Sequence, residues 1–419
     1  MGFGAQPRLN MLRYVADWVL PIAGPPLRNG CVDVDDGRVV GVGPLDAVAP
    51  GGATVVELGA TAVLPALVNA HTHLELSGLR GTVPPAASLP EWIGVLLARR
   101  AESGPPDVTA IRLAIDEARA SGTGLFGDIG NSLAAVPILV TAGVAARVFR
   151  EVVAFPDTGA AAIVEAVVEE TRAVATTGRV RVGLAAHAPF SVGRAAFRAL
   201  DDAIRASFDE PRCIHLAESP EELEFLLTGR GPWRDLLERV GRWVPGWVPP
   251  ACGPVDYLDR VGWLRPGLIV VHGVQLTDAE LTLLVGRGVT LVTCPRSNVW
   301  TGVGPPPIDR FIRSGVRLAL GTDSLASAPD LNLFAELELM RRLAPAVSAR
   351  RLLACATIHG AEALGFADEL GQIAPGRRAA LIAVRVPRDV SDVEEYLVGG
   401  IVPGQVTWLE DHEFDTGTR

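Results

Sequence analysis

Eight short apolar segments, separated by stretches with helical periodicity, restrict the fold of this sequence more than any other feature. The segments are residues 62–69, 124–128, 145–149, 180–186, 213–216, 268–271, 289–293 and 316–320. Most of them are continuously apolar, which is typical of strands covered on both faces. Because eight strand–helix units follow one another over roughly 300 residues, the pattern predicts an α/β protein with a (β/α)8 TIM barrel.

The two ends of the chain show a different pattern and predict a second, smaller unit. Residues 31–34 and 38–42 alternate apolar and polar side chains around an Asp-Gly turn signal, and short β-rich runs return at 379–384 and 404–408. We therefore expect a small β-sandwich domain formed by both termini, residues 1–61 and 366–419, beside a barrel at 62–365. A Trp-, Gly- and Pro-rich stretch at 231–254 is expected to be an insertion in the barrel.

The formal net charge of −10 and the absence of lysine exclude several classes of function. An acidic chain is not expected to bind nucleic acid, which requires clustered positive charge. All 38 basic residues are arginine. Schiff-base chemistry, a P-loop and a metal pair bridged by a carbamylated lysine are therefore excluded.

The cysteines and the hydropathy pattern indicate the compartment and the partners. Five widely spaced cysteines without a CxxC pair argue against a disulfide framework and favour the reducing cytoplasm. No stretch is uninterrupted and apolar enough to predict a membrane span. We expect a small-molecule substrate as the partner, with neither nucleic acid nor membrane, and the sequence is compatible with a homo-oligomer.

Most histidines follow a predicted strand. Five of the seven stand at or just beyond a strand end: His71, His73, His187, His215 and His272. Asp128 and Asp323 occupy the same kind of position. Since barrel enzymes build their active sites from the C-terminal ends of different strands, we expect these side chains to converge.

Each motif also has a purely structural interpretation. His71 and His73 point to the same side of an extended chain and can share a metal, but an isolated pair of this kind also arises by accident. Glu218 can instead favour a helix N-terminus. Asp323 can be an N-cap, and His272 can be a hydrogen-bonded core histidine.

Taken together, three imidazoles and one carboxylate form a ligand set suited to one divalent transition metal per chain. Zn²⁺ is the expected ion and Fe²⁺ the alternative, with one coordination position left for water. Such a metal lowers the pKa of bound water to ~7 and supplies hydroxide at neutral pH. A nearby carboxylate can then move the proton from the attacking water to the leaving group.

Six blocks, in order along most of the chain, resemble the amidohydrolase superfamily. The blocks are residues 64–73 (LPALVNAHTH), 187–191 (HAPFS), 215–219 (HLAES), 271–273 (VHG), 294–298 (CPRSN) and 321–327 (GTDSLAS). The similarity is to the branch of cytosine deaminase, S-adenosylhomocysteine deaminase and triazine hydrolase. It implies the same architecture, a barrel flanked by a β-sandwich from both termini.

The resemblance also implies roles for individual residues. The metal ligands would be His71, His73, His215 and Asp323. The catalytic residues would be Glu218, which carries protons between water and the leaving amine, and His272, which orients or polarises the attacked C–N unit, together with Asp323. The substrate-binding residues would be His187, Arg150 and Trp92. Arg150 and Trp92 are matched only by region, and a structural arginine and a packing tryptophan are the alternatives.

The expected function is metal-dependent hydrolytic deamination of an aminated purine or related heterocycle, free or within a nucleoside. Aminodeoxyfutalosine and adenosine-like compounds are candidates, with metal-bound hydroxide attacking the amine-bearing ring carbon. Hydrolysis of a C–Cl or an amide/imide bond at the same metal is the first alternative, and a catalytically silent binding protein is the second. Residues 324–329 depart from the Gly-x-Ala-Ser-Asn-Asn of adenosine-type relatives, which leaves the substrate open.

Overall fold

A computed structural model describes residues 11–47, 52–155, 158–207 and 211–409. Numbered along the chain, its strands are β1 Leu12–Val19, β2 Leu27–Asp35, β3 Arg38–Pro44, β4 Thr54–Pro65, β5 Leu67–Thr72, β6 Thr123–Gly130, β7 Ala145–Val152, β8 Val180–Ala186, β9 Arg212–Leu216, β10 Leu268–His272, β11 Thr290–Thr293, β12 Arg317–Leu320, β13 Leu381–Arg385 and β14 Val406–Trp408.

The α-helices are α1 Leu89–Ser103, α2 Val108–Ala120, α3 Ala135–Thr141, α4 Ala160–Ala173, α5 Arg194–Ser207, α6 Pro220–Thr228, α7 Pro232–Arg239, α8 Pro254–Arg260, α9 Asp278–Gly286, α10 Pro295–Trp300, α11 Ile308–Ser314, α12 Leu333–Leu343, α13 Ala349–Cys355, α14 Ile358–Ala363 and α15 Val393–Leu397. Short 3-10 helices cover Leu74–Leu79 and Pro403–Gln405. Helix α2 shows why such elements form, because Asp107 caps its N-terminus and its apolar residues repeat at helical spacing.

Strands β5 to β12 form one parallel sheet in chain order. A parallel bridge between Thr72 and Asp323 joins the last strand to the first and closes the barrel. Strand β10 illustrates the two-sided burial, because Leu268 and Val270 pack outward on the helices while Ile269 and Val271 pack inside. The predicted (β/α)8 barrel is confirmed.

The first four and the last two described strands form a separate six-stranded sheet with the order β14-β13-β4-β1-β2-β3. Strand β4 joins the N-terminal and C-terminal strands of this sheet, because it pairs with β1 on one side and with β13 on the other. The apolar run at 62–69 therefore contains the end of β4 and the start of β5. Between them Ala66 N donates to Ala380 O and Leu67 N donates to Gly122 O, so the chain changes sheets here. The domain limits at 61/62 and 365/366 stay predictions.

Three further expectations concern membrane spans, disulfides and the stretch at 231–254. Among the described residues, no helix combines the length and the apolar character needed to cross a membrane. All five cysteines are free and buried. The stretch at 231–254 begins with α7, and beyond that helix Trp243 and Trp247 pack on Phe155.

Candidate metal centre and active site

The end of β5 places two imidazoles at the centre of the barrel mouth. His71 O accepts hydrogen bonds from Thr322 N and Asp323 N, so the ends of the first and last strands fix each other. His71 is fully buried, and neither of its ring nitrogens has a hydrogen-bond partner among the described residues. Buried polar atoms normally have partners. A metal ion would supply a partner for one of the two nitrogens, so these residues fit the ion that the sequence predicts.

His73 and a third imidazole, His215, pack around His71. The ring centroid of His71 lies 4.8 Å from that of His73 and 5.0 Å from that of His215. His73 Nδ1 is bonded to Ile129 O at 2.9 Å, and His215 Nδ1 to His187 O at 3.0 Å. The bond at Nδ1 fixes the orientation of each ring and leaves Nε2 free to bind a metal ion. Burial lowers the pKa of His71 well below its usual range and that of His215 to about 3, so both stay neutral.

The carboxylate of Asp323 completes the cluster. Its Oδ1 lies 3.5 Å from His73 Nε2 and 3.8 Å from His71 Nε2. Its Oδ2 accepts hydrogen bonds from Ser297 Oγ at 2.5 Å and Ser327 Oγ at 3.1 Å. Burial alone would raise its pKa, but the nearby imidazoles, His73 first, and the Ser297 hydroxyl lower it overall. Asp323 has a φ of +59°, which is a strained backbone angle for a residue other than glycine. Such strain is concentrated at functional sites.

Glu218 and His272 face each other beside this cluster. Glu218 Oε1 lies 3.5 Å from His272 Nε2. The amide of Asn298 donates to His272 Nδ1 at 3.0 Å, so the proton of this neutral ring is on Nε2 and points towards Glu218. Burial raises the pKa of Glu218 well above its usual range, and the charges of Asp323 and Glu222 add to the effect. Glu218 is thus suited to hold a proton.

The turn before α6 holds Glu218 in place. Glu222 accepts hydrogen bonds from Ala217 N at 3.0 Å and from Glu218 N at 2.9 Å. Ala217 adopts a φ of +49°, which turns the chain sharply after β9. Glu222, in the first turn of α6, therefore stabilises the turn that leads into this helix. Glu218 precedes the helix and faces the cluster.

The three candidates for substrate contact line one cavity of about 670 Å³ that opens from the cluster. His187 Nδ1 is 2.5 Å from Ser191 Oγ, and its ring lies 5.4 Å from that of His215. Trp92 is almost completely buried in the cavity wall. Arg150 also lines the cavity, but its Nε donates to Glu170 Oε2 and its Nη1 to Glu151 O.

Sequence reasoning missed the residues that hold the ligands from behind. Glu151 Oε1 lies 3.5 Å from His215 Nδ1, and its Oε2 accepts from Asn131 Nδ2 at 2.6 Å. Ser297 and Asn298 were visible as part of the similar block at 294–298, but nothing in the sequence showed which ligand they would meet. Arg147, the other arginine of β7, does not line the cavity and donates to Leu364 O.

Substitution of Gly321 tests whether the position of His71 is needed for metal binding. A Cβ at this position would lie 2.7 Å from His71 O and 2.8 Å from His71 Cβ, so Gly321→Ala must displace the ligand strand. We expect metal affinity to fall about 10- to 100-fold, as it does when the support of a ligand is lost. Metal titration of the purified variant checks this. Gly286→Ala is the matched control, because its Cβ would meet nothing within 4 Å.

A parallel barrel with a buried His/Asp cluster at the C-terminal ends of its strands defines a metal-dependent barrel hydrolase. Residues 62–406 match the amidohydrolase family, and the chain belongs to that family. The family assignment made from the six sequence blocks is confirmed.

Two relatives of this chain are named as deaminases. The chain is 33% identical to the aminodeoxyfutalosine deaminase of Deinococcus radiodurans, over 74% of this chain and 75% of the relative. It is 28% identical to a 5-methylthioadenosine/S-adenosylhomocysteine deaminase of Moorella thermoacetica, over 94% of this chain and 95% of the relative. These relatives confirm the prediction of an amidohydrolase-type deaminase, a hydrolase that acts on C–N bonds.

Solved structures agree with this assignment. The crystal structure of a zinc-bound adenosine deaminase from Xanthomonas campestris is 28% identical and superposes with a TM-score of 0.78, over 94% of this chain and 90% of that one. The Helicobacter pylori aminofutalosine deaminase has a TM-score of 0.83 over 94% of this chain and 99% of that one. At 24% identity the second likeness shows the fold alone.

Proposed function

We propose that the protein deaminates the adenine-type base of a purine nucleoside, with adenosine-like compounds and aminodeoxyfutalosine as candidate substrates. The observation that carries the proposal is the packing of His73, His215 and Asp323 around His71, beside the facing pair Glu218 and His272. The names of the relatives support the choice of substrate class. A binding protein would need neither the buried ligand set nor the facing carboxylate.

The metal ligands are proposed to be His71, His73, His215 and Asp323, with Zn²⁺ as the ion. Three neutral imidazoles and one carboxylate are a donor set that Zn²⁺ accepts, and the zinc in the Xanthomonas campestris structure supports this choice over Fe²⁺. When bound, such an ion supplies Lewis acidity that lowers the pKa of a coordinated water to about 7.

Glu218 is proposed to move the proton. Its Oε1 accepts a proton from the attacking water and then delivers it to the departing exocyclic nitrogen, so that water and the aminated ring become ammonia and the oxo product. His272 Nε2, which carries a proton, donates a hydrogen bond towards the same region and orients the attacked ring. Asn298 fixes this tautomer from behind.

His187, Trp92 and Arg150 are proposed to contact the substrate. His187 is held by Ser191 at the wall of the cavity, and Trp92 forms part of the same wall. The proposed setting is the cytoplasm, which the five free thiols support, and the partner is a small molecule. A homo-oligomer is compatible with these assignments.

An ammonia-release screen tests the proposed function. Metal-loaded protein is incubated with adenosine, other purine nucleosides, free aminated purines, aminopyrimidines and chlorinated triazines. We expect ammonia from at least one adenine nucleoside and a loss of that activity in Glu218→Gln. Chloride release from triazines without ammonia from any nucleoside would contradict the proposal and favour C–Cl hydrolysis.

A further inference from the structure

The six-residue helix α10 supports two parts of the active site at once. Ser297 Oγ donates to Asp323 Oδ2, and the amide of Asn298 donates to His272 Nδ1. Asn298 Oδ1 is buried and has no hydrogen-bond partner among the described residues. The amide is therefore held by a single side-chain contact, and its position depends on where the backbone of α10 lies. Any displacement of this helix moves the supports of Asp323 and His272 together.

Helix α10 is too short to fix its own position, and it has no side-chain cap. Isolated helices of this length are not stable in water, and Cys294, at the N-cap, makes no side-chain hydrogen bond to the first turn. A backbone N–H of that turn bonds to another helix instead, because Arg296 N donates to Glu336 Oε2 at 3.0 Å. Glu336 lies on α12 and is completely buried. The start of α10 is thus fixed by a carboxylate 40 residues later in the chain.

The side chain of Arg296 makes a second connection to the same carboxylate. Its Nε donates to Glu336 Oε1 at 2.7 Å, and its Nη2 donates to Asp330 Oδ1 at 2.8 Å and to Asp330 O at 2.9 Å. The planar guanidinium fork holds such acceptors at fixed angles. Burial of an ion pair costs desolvation energy, so a buried pair often adds little net stability. Neither Arg296 nor Glu336 lines the active-site cavity, so neither is placed to contact the substrate.

We propose that Arg296 and Glu336 are positioning residues for the reaction at the metal centre. They fix the start of α10, which keeps the hydroxyl and the amide of this helix on Asp323 and His272. The inference rests on the proposed function, in which Asp323 binds the metal and His272 orients the attacked ring. Loss of the Arg296–Glu336 pair should therefore weaken metal binding and lower kcat, while KM stays nearly unchanged because the wall of the cavity is not altered.

Arg296→Lys tests whether the fork, rather than the charge alone, is needed. Lysine keeps the positive charge but cannot bond Glu336 and Asp330 in the same fixed geometry. At saturating Zn²⁺ we expect kcat to fall ~10-fold or more, with KM and melting temperature nearly unchanged. In a Ser297→Ala/Asn298→Ala background the same substitution should have almost no further effect, because residues that act as a unit are not additive. Wild-type kcat in Arg296→Lys, a rise in KM alone, or the same loss in both backgrounds overturns the inference.

Replacement of both partners separates positioning from folding and needs no substrate. Arg296→Met combined with Glu336→Leu leaves neither partner as an unpaired buried charge, so the melting temperature should stay near that of the wild type. We expect Zn²⁺ affinity, measured by competition with a chelator, to fall ~10-fold or more. Arg13→Met with Asp33→Leu is the matched control, because this pair is also buried but lies in the six-stranded sheet, away from the cavity lining. The control should keep wild-type affinity.

The outcomes distinguish this inference from the proposed function. Wild-type Zn²⁺ affinity in the paired variant, or an equal loss in the control, overturns the inference and leaves the deaminase proposal intact. If the paired variant does not fold, the kcat of Arg296→Lys decides. Absence of ammonia from every nucleoside with the wild-type protein refutes the proposed function, whereas the Zn²⁺ affinities still decide whether the pair positions the site.

Discussion

Glu218→Gln is expected to lower kcat by ~10²–10⁴ while leaving metal content and melting temperature nearly unchanged. The amide keeps the shape of the side chain and part of its hydrogen bonding to the region of His272 Nε2, but it cannot accept a proton. A fall of this size corresponds to about 2.7–5.5 kcal/mol of lost transition-state stabilisation. Steady-state kinetics, metal analysis and thermal unfolding on the same preparation measure the three quantities.

Glu224→Gln is the matched control for this substitution. Glu224 is exposed on α6, the helix that follows Glu218, and it does not line the cavity. We expect wild-type kcat from it. Near-normal kcat in Glu218→Gln, or a loss of activity caused mainly by loss of metal, would refute the assignment of Glu218 as the proton carrier.

The barrel could be predicted because its signal is local. Continuous apolar runs of four to eight residues mark strands covered on both faces, and polar residues after such runs mark the C-terminal mouth. The helix expected at 108–120 coincides with α2, since a capping Asp107 and a regular apolar stripe fix both its start and its buried face. His71, His73, His215, His272 and Asp323 were found for the same reason, because each sits where a strand ends.

The groups behind the ligands could not be predicted, because each contact joins distant parts of the chain. Glu151 meets His215 across 64 residues, and Ser297 meets Asp323 across 26. Such pairs depend on which strands are neighbours in the closed barrel and on the rotamers that packing selects. The prediction of a single strand at 62–69 was wrong for a related reason. Its apolar pattern is continuous, whereas the change from the terminal sheet to the barrel is made by hydrogen bonds to residues 380 and 122.

Substitution of a proposed ligand separates the binding of the metal ion from proton transfer. We expect purified protein to hold about one transition-metal ion per chain, because the proposed ligands belong to two clusters, His71–His73–Asp323 and His71–His215–His272, that share His71. In His215→Ala one of the proposed ligands is lost, and Glu151 and His187 O lose the ring that they orient. Metal affinity should fall by more than ~100-fold, beyond the effect of losing a support alone. Elemental analysis and competition with a chelator measure occupancy and affinity.

His359→Asn is the control for this loss, because His359, on α14, bonds Leu318 O and belongs to none of the clusters within the described residues that could hold an ion. It should keep the metal and the activity. Added Zn²⁺ should restore part of the activity of His215→Ala but none of that of Glu218→Gln, since only the first variant is limited by occupancy. Two ions per chain, both needed for full activity, would contradict the single-metal centre. Retention of the ion by His215→Ala would remove this residue from the proposed ligand set. If His215 binds the metal and Glu218 moves the proton, added Zn²⁺ corrects only the His215→Ala variant.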